Sequence, residues 1–173
     1  MVASTIMSNI GLDKALKELN INLIKTDVGD KNVYQALKQN NLSLGGEQSG
    51  HIIFLDDATT GDGILTSIKI LNILAEEKKK LYSLLENLTI YPQVLKNVSV
   101  KDKNIILENN ELKDLIQDLK EEIKDTGRIL VRASGTEEKI RVMAEDKSID
   151  TAKTVVDSIV SKVEDINSSL ENE

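Results

Sequence analysis

The sequence predicts an α/β unit with a mixed sheet and covering helices over residues 1–84, followed by a small two-layer α+β unit over residues 85–173. Three observations carry this reading. The first half alternates strand-like and helix-like patterns, the βαβα rhythm of a sheet covered by helices. The second half changes rhythm to strand, helix, hairpin, helix. Between them lie the charged run EEKKK at 76–80 and the only proline, Pro92.

The elements follow in order. VASTIM reads as a short buried strand, and Ser8 or Asn9 suits the cap of the next helix. In GLDKALKELN, Leu12, Ala15, Leu16 and Leu19 recur at helical spacing on one face. INLIKT is a second strand, and KNVYQALKQN a second helix showing Val33, Ala36 and Leu37. LGGEQSGHIIF, residues 44–54, then reads as strand, glycine-containing turn and strand, with IIFL too continuously apolar to leave one face in water. TTGDG opens a long helical pattern from about Ile64 to Leu88, and EEKKK marks a break in it or a solvated face. In the second half VLKNVSV is a strand. ELKDLIQDLKEEIK is an amphipathic helix burying Leu112, Leu115, Ile116, Leu119 and Ile123. RILVRA and KIRVMAE are strands joined by SGTEE. A last helix from about Ile149 buries Ala152, Val155, Val156, Ile159 and Val163.

Composition narrows the function classes. Forty per cent apolar and 29% charged residues describe a globular chain, and no apolar run approaches the roughly 20 residues of a membrane span. The opening decapeptide lacks the basic flank and cleavage region of a signal peptide. With no cysteine, thiol nucleophiles and Cys-ligated zinc are excluded and a cytoplasmic setting is expected. The Asn-x-Ser/Thr triplets at Asn41, Asn87 and Asn97 are then chance matches. A net charge of −7 and 2% aromatics argue against nucleic acid as a partner. All three arginines, Arg128, Arg132 and Arg141, fall within one short window, so an acidic chain has one locally basic spot suited to phosphate or carboxylate.

Two stretches carry chemistry. In RASGTEEKIR, residues 132–141, the N–H groups and hydroxyls of Ser134, Gly135 and Thr136 can converge on an anion, with Arg132 and Arg141 flanking the tip. The competing reading is a plain turn whose neighbouring arginines pair with Glu137 or Glu145. In GGEQSGH, the carboxylate of Glu47, the amide of Gln48 and the hydroxyl of Ser49 can accept from and donate to vicinal sugar hydroxyls, beside His51, the only histidine; the competing reading is a β-turn with Glu47 solvated and His51 half-buried on its strand. Gly29 and Asp30 mark a turn or helix start, with Asp30 as an N-cap. Asp56, Asp57 and Asp62 match no metal-loop spacing and are read as strand-end and capping residues.

Taken in order, GEQSGH, TTGDG, YPQVLKNV and RxSGTE followed by IRVM resemble the C-terminal part of the phosphoglucosamine mutases, within the α-D-phosphohexomutase superfamily, from about Val2 to about Asp165. The resemblance implies part of a third α/β domain, then a fourth domain similar to the TATA-binding-protein fold. It implies interconversion of glucosamine 6-phosphate and glucosamine 1-phosphate through a bisphosphate intermediate, in the supply of amino-sugar nucleotides and cell-wall precursors. By that resemblance Glu47, Ser49 and His51 bind the sugar, with His51 a candidate assistant in proton transfer, and Gly29 and Asp30 belong to a loop facing the active site. Arg132, Ser134, Gly135 and Thr136 clamp the non-reacting phosphate, with Arg141 nearby. Magnesium is implied in another domain of the enzyme, held by an Asp-rich loop, and a phosphoserine in yet another; no metal ligand is assigned in these residues.

The sequence departs from the pattern in two ways. Ala133 and Glu138 stand where related sequences often carry proline, which removes rigidity and adds a charge beside the anion loop. No serine-centred nucleophile loop and no DGDxDR-like loop occurs, so the expectation is a fragment, inactive alone, whose partners are a phosphosugar and the N-terminal domains of the same enzyme. Neither nucleic acid nor membrane is an expected partner. The alternatives are a phosphomannomutase or phosphoglucomutase, against which Gln48 and YPQVLKNV speak, and a non-catalytic anion-binding module.

Overall fold

The computed structural model describes residues 1–86 and 88–171; the triplet at Asn87 and the last two residues of the expected second unit lie outside the described residues. The chain divides after Ile90 into two compact units, where the sequence places the division after residue 84.

In the first unit, β1 (Val2–Thr5) pairs in parallel with β2 (Leu23–Thr26) and with β3 (Leu44–Gly46), and β3 pairs antiparallel with β4 (Ile52–Phe54), in the order β2-β1-β3-β4. The sheet is therefore mixed. Helices α1 (Ile10–Glu18) and α2 (Asp30–Asn40) make the crossovers. Asn9 caps α1, its side chain accepting from the N–H of Gly11. Val33, Ala36 and Leu37 of α2 pack with Ala3 and Ile53 as the core. The α1 face is only half-covered, and Leu19 lies past the helix end and is exposed. Likewise only Ile53 of the β4 run is buried. Ile52 and Phe54, with Leu12, Leu16, Leu44 and Ile70, line an open apolar groove. Helix α3 (Gly63–Glu77) stops at Lys78, which is left-handed (φ 51°), and a 3-10 turn follows over Leu81–Leu84. The charged run is thus a helix break.

The second unit is a three-stranded antiparallel sheet, β5 (Gln93–Ser99), β6 (Gly127–Ala133) and β7 (Lys139–Asp146), in the order β5-β7-β6. Helices α5 (Asn110–Glu122) and α6 (Ile149–Glu171) cover one face. A short helix that the sequence reading did not anticipate, α4 (Lys103–Glu108), is capped by Asp102, whose carboxylate accepts from the N–H groups of Asn104 and Ile105. The core takes Ile140, Val142 and Ala144 from β7 and Ala152, Val155, Val156, Ile159 and Val163 from α6. Of the face expected on α5, Leu112 and Ile123 are fully buried while Leu115, Ile116 and Leu119 are half-buried.

Candidate functional site

Strand alternation places the basic residues. With Ile140, Val142 and Ala144 turned to the helices, Arg141, Met143 and Glu145 of β7 face the other way. Arg132 lies directly across from Arg141, and Arg128 directly across from Glu145. All three arginines therefore share the sheet face opposite α5 and α6. Arg128 is committed there: its Nε donates to Glu145 Oε2 at 2.7 Å and Nη2 to Oε1 at 3.2 Å, around a fully buried carboxylate. Arg132 and Arg141 form a like-charged cross-strand pair, an arrangement that costs energy unless an anion lies between or beside the two.

The strands holding these two arginines are joined by the SGTEE tip. Ser134 donates its N–H to the carbonyl of Lys139 at 2.8 Å, and Lys139 its N–H to the carbonyl of Glu137 at 2.9 Å. Ser134 is 2% exposed. Among the described residues its hydroxyl has no hydrogen-bond partner, nor has the buried Nε of Arg141. Buried polar atoms without partners are uncommon and need a reason. Gly135 adds another: a Cβ there would meet nothing within 4 Å, and its φ is not positive. The fold itself therefore does not require glycine at that position. Glu137 is the nearest internal competitor. A hydrogen bond from Lys139, reinforced by that ammonium's charge, holds its carboxyl below the usual carboxylate range, and Arg141, 3.7 Å away, adds less. Thr136 is exposed.

In the first unit, the turn after β3 is closed by Glu47 N–H to His51 O at 2.9 Å and by Gly50 N–H to Glu47 O at 3.0 Å, with Gly50 at φ 95°. Such a φ favours glycine. Gly45 has a different reason: an added Cβ would lie 2.7 Å from Val33 Cγ1 and 3.0 Å from the carbonyl of Ala3. Glu47 is not solvated, contrary to the plain-turn reading, because its side chain is only 10% exposed. Its Oε1 accepts from the N–H of Gly29 at 2.8 Å and its Oε2 from the hydroxyl of Ser49 at 3.2 Å. Ser49 in turn lies 3.0 Å from His51 Nδ1, and the His51 ring is more than half exposed. The five residues selected in this unit thus sit together, with Glu47 as the tie between their two loops. Gly29 (φ 122°) is the cap position of α2 and Asp30 its first residue, so Asp30 is not the N-cap the sequence suggests; its carboxylate accepts from the N–H of Lys31. A carboxylate at the start of α2 is also favoured by the helix dipole.

Sequence reading missed several supports. The hydroxyl of Ser4 donates to the carbonyl of Gly46 at 2.7 Å. Gly61 lies against His51, where a Cβ would be 3.4 Å from the ring. Lys103 lies against the SGTEE tip. Two of the three aspartates have contacts with neighbouring groups. Asp62 caps α3, accepting from the N–H groups of Ile64 and Leu65, and Asp57 pairs with Lys69 at 2.8 Å. Among the described residues no group of three or more His, Asp or Glu gathers as a metal site, and no helix is long and apolar enough to cross a membrane.

Removing the Glu47 carboxylate is expected to release both loops. Glu47→Ala should destabilise the first unit by about 1–3 kcal/mol, the range for leaving a buried donor unpaired, and speed hydrogen exchange at the Gly29 amide. Unchanged exchange there would contradict the tie.

A family model described as "Phosphoglucomutase/phosphomannomutase, alpha/beta/alpha domain III" matches residues 1–91, and one described as "Phosphoglucomutase/phosphomannomutase, C-terminal domain" matches residues 95–162. The chain is 48% identical over 163 residues to the phosphoglucosamine mutase of Oceanobacillus iheyensis and 45% identical over 163 residues to that of Ligilactobacillus salivarius, in each case covering 94% of this chain and 36% of the relative. It therefore spans little more than a third of the length of these relatives. Among solved structures, Aspergillus fumigatus N-acetylphosphoglucosamine mutase in complex with GlcNAc-6P and magnesium is similar with a TM-score of 0.81 at 23% identity, over 96% of this chain and 39% of that one. An N-acetylglucosamine-phosphate mutase in its substrate complex is similar with a TM-score of 0.77 at 23% identity, over 94% of this chain and 38% of that one. At such identities these two likenesses speak to the fold alone.

Proposed function

Because the chain belongs to the phosphoglucomutase/phosphomannomutase family, we propose that it is the substrate-binding portion of a phosphoglucosamine mutase, the enzyme that interconverts glucosamine 6-phosphate and glucosamine 1-phosphate through a bisphosphate. Arg132, Ser134, Gly135, Thr136 and Arg141 take the phosphate that does not react. Glu47, Ser49 and His51 take ring hydroxyls, with Gly29 and Asp30 on the loop that Glu47 secures. The observation that supports the reading is the buried hydroxyl of Ser134, without a hydrogen-bond partner among the described residues, beside the Arg132–Arg141 pair, an arrangement suited to a phosphate.

On this reading the chain contributes positioning and charge neutralisation, the terms that dominate phosphoryl transfer. Serine phosphorylation and magnesium belong to parts of the enzyme outside these 173 residues, and no step is assigned here to the metal. Ser49, in contact with both Glu47 and His51, has a hydroxyl fixed for hydrogen bonding to a sugar. The cysteine-free composition supports a cytoplasmic setting.

Titration calorimetry on the 173-residue chain tests the proposal with glucosamine 6-phosphate, glucose 6-phosphate and mannose 6-phosphate. Arg132→Ala is expected to weaken binding of glucosamine 6-phosphate at least about tenfold, the loss of one charged hydrogen-bonding partner. Gly135→Ala should weaken it too, without lowering the melting midpoint, since nothing internal meets the added methyl. Tighter binding of the glucose or mannose phosphate would favour a phosphoglucomutase or phosphomannomutase. Binding unaffected by Arg132→Ala would reduce the tip to a plain turn.

A further inference from the structure

Lys103 opens α4, immediately after the capping Asp102. Its ammonium donates to the carbonyl oxygens of Ser134 and Glu137, each at 3.2 Å, and lies 3.1 Å from Glu138 Oε1. Its side chain is 19% exposed. A lysine ammonium carries three donors, and here each has a partner on the same five-residue tip.

The geometry has a consequence for the opposite side of the tip. A trans peptide unit points its N–H away from its C=O. Drawing the carbonyl of Ser134 toward Lys103 therefore turns the N–H of Gly135 away from it, and drawing the carbonyl of Glu137 does the same for the N–H of Glu138. These two N–H groups of one tip therefore face away from the ammonium, on the side where an anion can be received. The third contact acts on charge. Glu138 brings a carboxylate to a loop that is to receive an anion, and Lys103 offsets it at 3.1 Å. Lys103 itself has no donor left over for a ligand.

We propose that Lys103 is a positioning residue for phosphate recognition: it presents the backbone donors of the 134–138 tip and neutralises Glu138, without touching the substrate. The proposal rests on the phosphate-binding role of the tip given above.

The test uses the 173-residue chain and its Lys103→Met variant, which keeps the aliphatic stem and removes the ammonium. Calorimetry with glucosamine 6-phosphate and with inorganic phosphate is expected to show affinity about tenfold weaker for both in Lys103→Met. Amide hydrogen exchange should quicken at Ser134 and Lys139, whose N–H groups close the tip, but not at Val156 in the core of the same unit. Lys103→Arg, which keeps charge and donors, should stay within about threefold of the parent. Should Lys103→Met fail to fold, Lys103→Gln, whose amide can serve one carbonyl, carries the same titration. Unchanged affinity in the lysine variants beside a loss in Arg132→Ala would overturn the role of Lys103 and leave the phosphate reading standing. No binding of glucosamine 6-phosphate by the parent chain would overturn both.

Discussion

Glu145→Ala is expected to cost the second unit about 3–5 kcal/mol, the range for removing one partner of a buried ion pair. The cause is the charge left behind. Glu145 is fully buried, and the Arg128 guanidinium that it receives in two hydrogen bonds is itself only 18% exposed. Against a total stability of about 5–15 kcal/mol for a small domain, that loss is close to unfolding. The same reasoning predicts that the pair can be removed together. Arg128→Met combined with Glu145→Leu should return most of the lost stability, because well-packed apolar residues often replace a buried pair at little cost. Denaturant melts of the parent, the single variant and the double variant measure both. A single variant within about 1 kcal/mol of the parent would contradict the account. The pair belongs to the same β6–β7 register that sets Arg132 across from Arg141.

The second large effect is in the first unit, whose core is small. Leu37 is fully buried, among Ala3, Val33, Ala36 and Ile53. Leu37→Ala is expected to lose about 2–5 kcal/mol through lost burial and the cavity left behind. Gly45→Ala should lose about 1–3 kcal/mol for the opposite reason, overpacking, since its Cβ would come within 2.7 Å of Val33 Cγ1 and 3.1 Å of Leu37 Cδ2. The two changes meet in the same space. Their combination should therefore be less damaging than the sum of the two, by at least about 0.5 kcal/mol. Strict additivity in the double-mutant cycle would show that helix α2 and the glycine strand are not in the contact described.

Much of this architecture was legible in the chain because local periodicity dictates it. The α6 face of Ala152, Val155, Val156, Ile159 and Val163 recurs at helical spacing and is the face that the core takes. The break after α3 follows from EEKKK, and the antiparallel pair β6–β7 from two apolar runs around SGTEE. The errors have equally local causes. Leu19 continues the α1 spacing but falls beyond Glu18, where the helix ends, and the spacing carries no information on where winding stops. Short α4 offered too few residues for a period to show.

The chemistry-bearing residue types were equally readable, since RASGTEE and GGEQSGH concentrate hydroxyls, charges and glycines in a few positions. Their partners were not. Glu47 looked like a solvated or sugar-binding carboxylate, and only the fold brings to it the N–H of Gly29, 18 residues earlier. Nothing in the local sequence marks Lys103, and it contacts the tip across 31 residues. By itself, then, the sequence determined the elements, the two-unit order and the residues that carry chemistry, because propensity, periodicity and side-chain type are properties of neighbours along the chain. Tertiary structure alone decided which of those groups is already occupied and which is left with an unmet hydrogen bond, because burial and pairing depend on residues that only folding brings within 3 Å or so of one another.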